Sequence, residues 1–277
     1  MGNIYAMYRK QLEIQLLLDA VHTLSGFDFR KYNQQSILRR IEHRMRISNI
    51  PTISRLTEAI IYDPELLKKL LNDFSINVTE MFRDPTFFKA FRQQVIPELQ
   101  KLDKIRIWHA GCATGEEVYS MAILLQEEGL LNRTVMYATD MNEMVLNKAQ
   151  QGAFPLNKMQ AYTKNYILAG GTESFSQYYK TDDCYASFHP YLRENIIFAQ
   201  HNLVTDQSFQ EFDIIICRNV LIYFTSELQH HVHHLFYDSL APHGFLGLGD
   251  KETLQFTPLA PKYRTVNATE RIYQKKQ

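Results

Sequence analysis

Cysteine is scarce in these 277 residues: Cys112, Cys184 and Cys217 are all there is. The number is odd and the spacings are long. That excludes a disulfide framework or a zinc ribbon and points to a reducing compartment. An excess of one charge is lacking too. Lysine plus arginine total 30, aspartate plus glutamate total 30, and the formal net charge is zero. Nothing global therefore draws the chain to nucleic acid or to an acidic surface. No apolar run approaches a membrane span, and the amino terminus shows no signal-peptide apolar region. A cytoplasmic protein without direct membrane insertion is expected. Internal repeats and low-complexity segments are also missing. What remains is a chain with 45% hydrophobic residues, enough for a sizeable core in one large domain or two modest ones.

Helical spacing dominates the first hundred residues. Leu12, Leu16, Leu17, Val21 and Leu24 predict a helix over 3–24, stopped by Ser25-Gly26. A second helix is expected over 29–47, with Ile37, Leu38, Ile41 and Met45 inward and a basic outer face of Arg30, Lys31, Arg39, Arg40, Arg44 and Arg46. Asp63-Pro64 and Asp84-Pro85 each read as a cap followed by a helix-starting proline. The pattern then changes. Strands at 105–110, 134–139, 195–200, 212–217 and 244–249 alternate with helices at 115–129, 142–151 and 225–240, and a hairpin closes the chain at 263–266 and 271–274. This is the alternation of a parallel sheet covered on both faces. Residues 152–194 break it and are expected to form an inserted subdomain.

The central stretch is Ile105-Arg-Ile-Trp-His-Ala-Gly-Cys-Ala-Thr-Gly-Glu-Glu117. It reads as a buried strand, a small-residue turn, and a helix start capped by Thr114. Gly111, Ala113 and Gly115 let a ligand approach the backbone. Turns of this kind, at strand carboxyl ends, hold nucleotide-like ligands in doubly wound sheets. The two glutamates would repel a diphosphate, but they suit a ligand carrying ammonium or sulfonium, and S-adenosylmethionine carries both. An ordinary tight turn with acids placed for the helix dipole would show the same residues. Asp140, at the tip of the next strand, suits ribose hydroxyls or the cap of the following helix. Arg218 and Asn219, after the strand 212–217, should face the same crevice, and Tyr223 follows one turn later. Asn77-Val-Thr-Glu-Met-Phe-Arg83 mixes polar Asn77, Thr79 and Arg83 with apolar neighbours, as a lid over a ligand would.

Taken together, Asn77–Arg83, Ala110–Glu117 with Tyr119-Ser120, Ala138-Thr-Asp140, Asn202-Leu203, Cys217-Arg-Asn-Val-Leu-Ile-Tyr-Phe224 and the basic second helix resemble, from end to end, the chemotaxis receptor methyltransferases of the CheR type. The resemblance implies an α/β fold. A Rossmann-like class I methyltransferase sheet of seven strands, the last antiparallel, would carry the small β subdomain. An all-helical substrate-docking domain (1–85) would precede the methyltransferase domain (86–277). It implies transfer of a methyl group from S-adenosylmethionine to glutamates of receptors, with S-adenosylhomocysteine as product. By the same resemblance Asn77, Thr79 and Arg83 lie beside the cofactor. Gly111 and Glu117 hold its methionine part and Asp140 its ribose. Asn202, Leu203, Asn219 and Val220 surround the adenine and the sulfonium side. Arg83 and Tyr223 face the reacting carboxylate. Arg39, Arg40, Arg44 and Arg46 dock the cytoplasmic helical domain of a methyl-accepting receptor. Residues 152–194 match a subdomain that in some members binds a receptor's carboxyl-terminal peptide. Met81, Val118 and Asp250-Lys251 depart from the family's usual residues, and none of them is a presumed catalytic group.

The chemistry agrees with the resemblance. A glutamate acceptor, with a pKa of about 4.3, is already an anion at neutral pH and needs no general base. Methylating an amide or a base nitrogen calls instead for carbonyl acceptors, as in an Asn-Pro-Pro-Tyr run, where this chain has Arg218-Asn-Val-Leu. Arg83 is assigned to orientation and Tyr223 to a hydroxyl contact. His230, His231, His233 and His234 share one helix without a cysteine or acid to complete a metal set, so no metal is expected. Two rivals stay open on sequence. One is a methyltransferase of another substrate class on this fold; the other is a non-catalytic cofactor-sensing module.

Overall fold

The computed structural model describes residues 2–75 and 78–277, with side chains from residue 4 onward. The chain divides into two compact units, one of residues 1–76 with 223–229 and one of residues 77–222 with 230–277.

The first unit is helical. Helices α1 (Gly2–Ser25), α2 (Gln34–Ile47), α3 (Ile53–Tyr62) and α4 (Pro64–Phe74) follow in order. Side chains start three of them. Asn33 accepts from the N–H groups of Gln35 and Ser36, Thr52 from that of Arg55, and Asp63 from those of Glu65 and Leu66. The second helix therefore starts at Gln34, later than its apolar spacing suggested, because Asn33 supplies the cap. Leu17, Val21, Phe29, Ile37, Ile41, Leu56, Ile60, Leu70 and Phe74 are buried. Leu12, Leu16 and Leu24, whose helical spacing predicted α1, are exposed. That helix is apolar around much of its circumference, so spacing alone does not mark its inner face. Segment 223–229 belongs here through a bridge between Tyr32 and Phe224 and a bond from Asn33 N–H to the Tyr223 carbonyl (2.7 Å).

The second unit is the α/β body. Helix α5 (Pro85–Gln94) and the short α6 (Ile96–Leu99) lead into β1 (Ile105–Ala110), α7 (Glu116–Glu127), β2 (Thr134–Asp140) and α8 (Glu143–Gln151). The insertion follows: β3 (Ala153–Pro155), α9 (Met159–Leu168), β4 (Tyr179–Thr181) and β5 (Tyr185–Phe188), with the strands in the antiparallel order β3-β5-β4. Then come β6 (Ile196–Gln200), β7 (Phe212–Cys217), α10 (Ser226–Ser239), β8 (Leu240–Leu248), β9 (Tyr263–Asn267) and β10 (Ile272–Lys275). The main sheet has seven strands in the order β6-β2-β1-β7-β8-β10-β9. Strands β6, β2, β1, β7 and β8 are parallel, and β10 runs antiparallel between β8 and β9. The expected class I methyltransferase sheet is thus present.

Strand order reverses at β1. Its first neighbour, β2, is reached on one side and β7 on the other. Such a switch point opens a crevice at the strand carboxyl ends. Burial fixes this geometry. Ile107, Trp108, His109, Ile214, Ile215 and Ile216 are fully buried, as central strands covered on both faces require.

Candidate active site

The turn after β1 is held by its neighbours on β2. The N–H groups of Gly111 and Cys112 both donate to the Thr139 carbonyl, at 2.8 and 2.9 Å. Asp140 Oδ2 accepts from Ala113 N–H at 3.0 Å, and its Oδ1 from Asn142 N–H at 3.0 Å. Asp140 therefore braces the turn. The cap of α8 is Asn142, whose side chain accepts from Met144 N–H. Burial pushes the Asp140 carboxyl up, and its backbone bonds resist that. A carboxylate has about four acceptor positions, so bonds from Ala113, Asn142 and Met141 leave room for one ribose hydroxyl. His201 N–H reaches the Asp140 carbonyl at 3.2 Å, which brings Asn202 and Leu203, both nearly buried, to this strand end.

Two glycines in the turn are required by the backbone. Gly111 has φ +79°, and an added Cβ would lie 2.5 Å from Val220 Cγ2. Two residues assigned to the cofactor thus touch across the switch point. Gly115 has φ +93° and occupies the cap position of α7 with no side-chain cap bond. Thr114 is not the cap. Its hydroxyl donates to Glu116 Oε2 at 2.6 Å, since the left-handed glycine beside it already turns the chain into the helix.

The paired glutamates have separated roles. Glu116 is 2% exposed and takes bonds from Thr114 and from Tyr162 Oη (3.3 Å); burial pushes its carboxyl up. Glu117 accepts from His109 Nδ1 at 3.0 Å and from Arg218 Nη1 at 3.3 Å. Burial alone would raise its carboxyl, but the His109 bond and the Arg218 charge outweigh that and hold it below the usual range. One half-buried acid is kept ionised beside a backbone turn, as a cationic ligand requires.

The second wall follows β7. Asn219 has φ +61°. The N–H groups of Asn219, Val220, Leu221 and Gly249 all donate to the buried carboxylate of Glu252, at 3.0, 2.9, 2.7 and 2.6 Å. Sequence reading missed Glu252, because a carboxylate that binds backbone amides from two loops leaves no local spacing. It also missed the His109–Glu117 pair, formed between a strand and a helix. That pair sets an imidazole beside a carboxylate. His109 is fully buried, so it acts on Glu117 and not as a base open to substrate.

Arg83 is half-buried and donates to the Val78 carbonyl at 3.1 Å. Thr79 is half-buried nearby in sequence, and Asn77 lies outside the described residues. Asp84 adopts the left-handed conformation and makes no cap bond for α5; its carboxylate accepts from Arg218 instead. Tyr223 falls in the helical unit. Of the proposed docking arginines, Arg39 and Arg46 are exposed and Arg40 is half-buried. Arg44 does not lie on an open face. It pairs with Asp73 on α4 at 2.6 Å and its side chain is 11% exposed, because α2 packs that edge against α4. Trp108, the single tryptophan, is buried among His201, Phe209, Phe212 and Phe236 and donates to Thr139 Oγ1 at 2.8 Å. Burial, reinforced by Asp140 and Glu117, pushes the Cys112 thiol up, which removes thiolate character. His233 is buried rather than solvated, and no metal-holding group of His, Cys, Asp or Glu occurs among the described residues. No helix among them is long and apolar enough to cross a membrane.

Comparison with known proteins decides the family. Residues 77–272 match the CheR methyltransferase SAM-binding domain, and residues 12–75 match the CheR methyltransferase all-alpha domain. The chain belongs to the CheR methyltransferase family. It is 45% identical over 264 residues to the Cher3 protein of Pseudomonas putida, covering 95% of this chain and 97% of that protein. It is 32% identical over 231 residues to a chemotaxis protein methyltransferase of Listeria innocua, covering 83% and 85%. It is 27% identical over 259 residues to chemotaxis protein methyltransferase 2 of Pseudomonas aeruginosa, covering 91% and 89%. As a CheR methyltransferase it uses S-adenosylmethionine. The residues present fit that cofactor: an ionised, half-buried Glu117, a glycine turn that a Cβ would fill, and an Asp140 with an acceptor position to spare.

Proposed function

We propose that this CheR methyltransferase methylates glutamate side chains of methyl-accepting chemotaxis receptors, for sensory adaptation. Support comes from one observation above all: a half-buried carboxylate, Glu117, held ionised by His109 and Arg218 at the turn where the donor's ammonium would bind. The names of its relatives add the chemotaxis context. Bound S-adenosylmethionine supplies a methyl group on a positively charged sulfur.

In this reading Glu117 holds the cofactor's ammonium and Gly111 lets its methionine part lie against the backbone. Asp140 accepts from the ribose, and Asn202, Leu203, Asn219 and Val220 enclose the base and the sulfonium side. Asn77 and Thr79 add hydrogen bonds from the preceding segment. Arg83 orients the acceptor carboxylate by charge, and Tyr223 offers it a hydroxyl. The acceptor is already an anion at neutral pH, so no side chain must remove a proton. Alignment and exclusion of water are what remain for the enzyme to supply. Arg39, Arg40 and Arg46 offer positive charge to an acidic receptor helix, and the inserted strands are a second place for a receptor's carboxyl-terminal peptide. The domain division proposed is 1–85 for docking and 86–277 for methyl transfer. The test is transfer of radiolabelled methyl to a receptor signalling domain. A base-labile ester on glutamate is expected; base-stable label, or none, would overturn the proposal.

A further inference from the structure

An ionic chain crosses the second unit in the order Asp84, Arg218, Glu117, His109; its middle is buried and its Asp84 end is partly exposed. Arg218 is central to it, with a side chain only 2% exposed. Its Nη2 donates to Asp84 Oδ2 at 2.6 Å and to the Arg83 carbonyl at 3.0 Å. Its Nη1 donates to Glu117 Oε2 at 3.3 Å, and its guanidinium lies 4.2 Å from the centre of the Phe87 ring. His109 Nδ1 meets the other oxygen, Glu117 Oε1, at 3.0 Å. A carboxylate only accepts, so Nδ1 carries the proton in that bond.

The Asp84 end of the chain is strained. Phe82 has φ +49° and Asp84 φ +55°, so two non-glycine residues in the left-handed region flank Arg83. Such residues persist only where their surroundings hold them. Four contacts do so. Ser120 Oγ accepts from Phe82 N–H at 2.8 Å, and Asn165 Nδ2 donates to the Met81 carbonyl at 3.1 Å. Arg218 supplies the other two, to the Arg83 carbonyl and the Asp84 carboxylate.

We propose that Arg218 is a positioning residue that couples the cofactor to the acceptor. One guanidinium holds both the Arg83 turn and Glu117. The inference rests on the reading in which Glu117 faces the cofactor's ammonium and Arg83 faces the acceptor. Its bond to Asp84 is short and its bond to Glu117 long. An ammonium arriving at Glu117 competes with Nη1 for that carboxylate. The guanidinium is then left to Asp84 and the Arg83 carbonyl, and the turn tightens. Cofactor binding thereby orders Arg83 before the acceptor arrives, and the coupling is reciprocal. Lysine cannot replace Arg218, because a single ammonium lacks the planar fork that reaches both carboxylates.

The full chain is tested with S-adenosylhomocysteine, by calorimetry for affinity and by hydrogen exchange over residues 78–84, alongside turnover in the methyl-transfer assay. In the wild type, saturating S-adenosylhomocysteine should slow exchange over 78–84 several-fold. Arg218→Lys should lose that protection even when saturated. Asp84→Asn, at a side chain that is 40% exposed and therefore safer for folding, should lower kcat about tenfold while the S-adenosylhomocysteine Kd stays within about threefold. Equal protection in Arg218→Lys, or an unchanged kcat in Asp84→Asn, would overturn the coupling. If Glu117→Gln binds S-adenosylhomocysteine as tightly as the wild type, the cofactor reading itself fails, and that result is separate from the other two.

Discussion

The turns after β1 and β7 each have a glutamate beside them, half-buried Glu117 and buried Glu252, and they use it in opposite ways. Glu252 has both oxygens filled by four backbone N–H groups of its own wall. Glu117 takes its bonds from two side chains, and no backbone N–H is among them. The first arrangement spends the carboxylate on shaping a loop. The second holds a negative charge in place with its remaining acceptor positions open to a ligand. Burial works against both anions, and what opposes it differs: amide dipoles for Glu252, an imidazole and a guanidinium for Glu117. The two acids differ in the kind of partner each has, not only in burial.

The largest effect should come from removing the structural member of the pair. Glu252→Ala leaves four N–H donors without their acceptor, and at about 1–3 kcal/mol for each unsatisfied buried group the loss should reach about 4 kcal/mol or more. Urea unfolding measures it. If Glu117→Gln destabilises the chain more than Glu252→Ala does, the contrast between the two glutamates is wrong.

His233 sharpens the contrast from the side of a buried group with no counter-charge. It is 2% exposed, Nδ1 has no hydrogen-bond partner, and burial, aided by His230 and His234, lowers its pKa from 6.5 to about 4. The unfolded chain then binds the proton first. Stability should be fully present above pH 6.5 and fall as the pH drops toward about 4, by roughly 3 kcal/mol from this group. In His233→Leu that part of the acid-side loss should disappear. An unchanged slope of stability against pH between 6.5 and 4 would show that the ring is not buried as neutral imidazole.

A smaller effect tests how close the two walls approach. Gly111→Ala puts a Cβ 2.5 Å from Val220 Cγ2 at a φ of +79°. Affinity for S-adenosylhomocysteine should weaken by about 2 kcal/mol, roughly thirtyfold, from strain and displacement at the turn. Adding Val220→Ala should restore part of it, since only the steric half of the problem is relieved. No loss in the single variant would mean the walls move apart freely.

These contrasts also show what could be read from residue order. Strand β1, its turn and Asp140 were legible because each is a local pattern: apolar alternation, small residues, an acid at a strand tip. So were the closing hairpin and the cap formed by Asp63. Helix α9 was not. Its buried Met159, Tyr162 and Tyr166 keep helical spacing inside a stretch rich in glycine, tyrosine and serine, which reads as an inserted β subdomain without a helix. Thr114 was taken for a cap because the rule concerns side chains, whereas the turn is made by the backbone freedom of Gly115. Asp84 followed the cap-and-proline pattern of Asp63 but gives its carboxylate to Arg218, 134 residues away. Arg44 shared the spacing of Arg39 and Arg46, yet Asp73 claims it. For Asp84 and Arg44 a partner distant in sequence decided the outcome.

The most direct measurement is a calorimetric titration of S-adenosylhomocysteine into the wild type and Glu117→Gln, side by side at neutral pH with folding checked by unfolding curves. The account predicts binding to the wild type and a loss of tenfold or more in the variant, about 1.4 kcal/mol at least, with the fold intact. Equal affinities in two folded proteins would contradict it, because the ionised Glu117 would then not be what holds the cofactor.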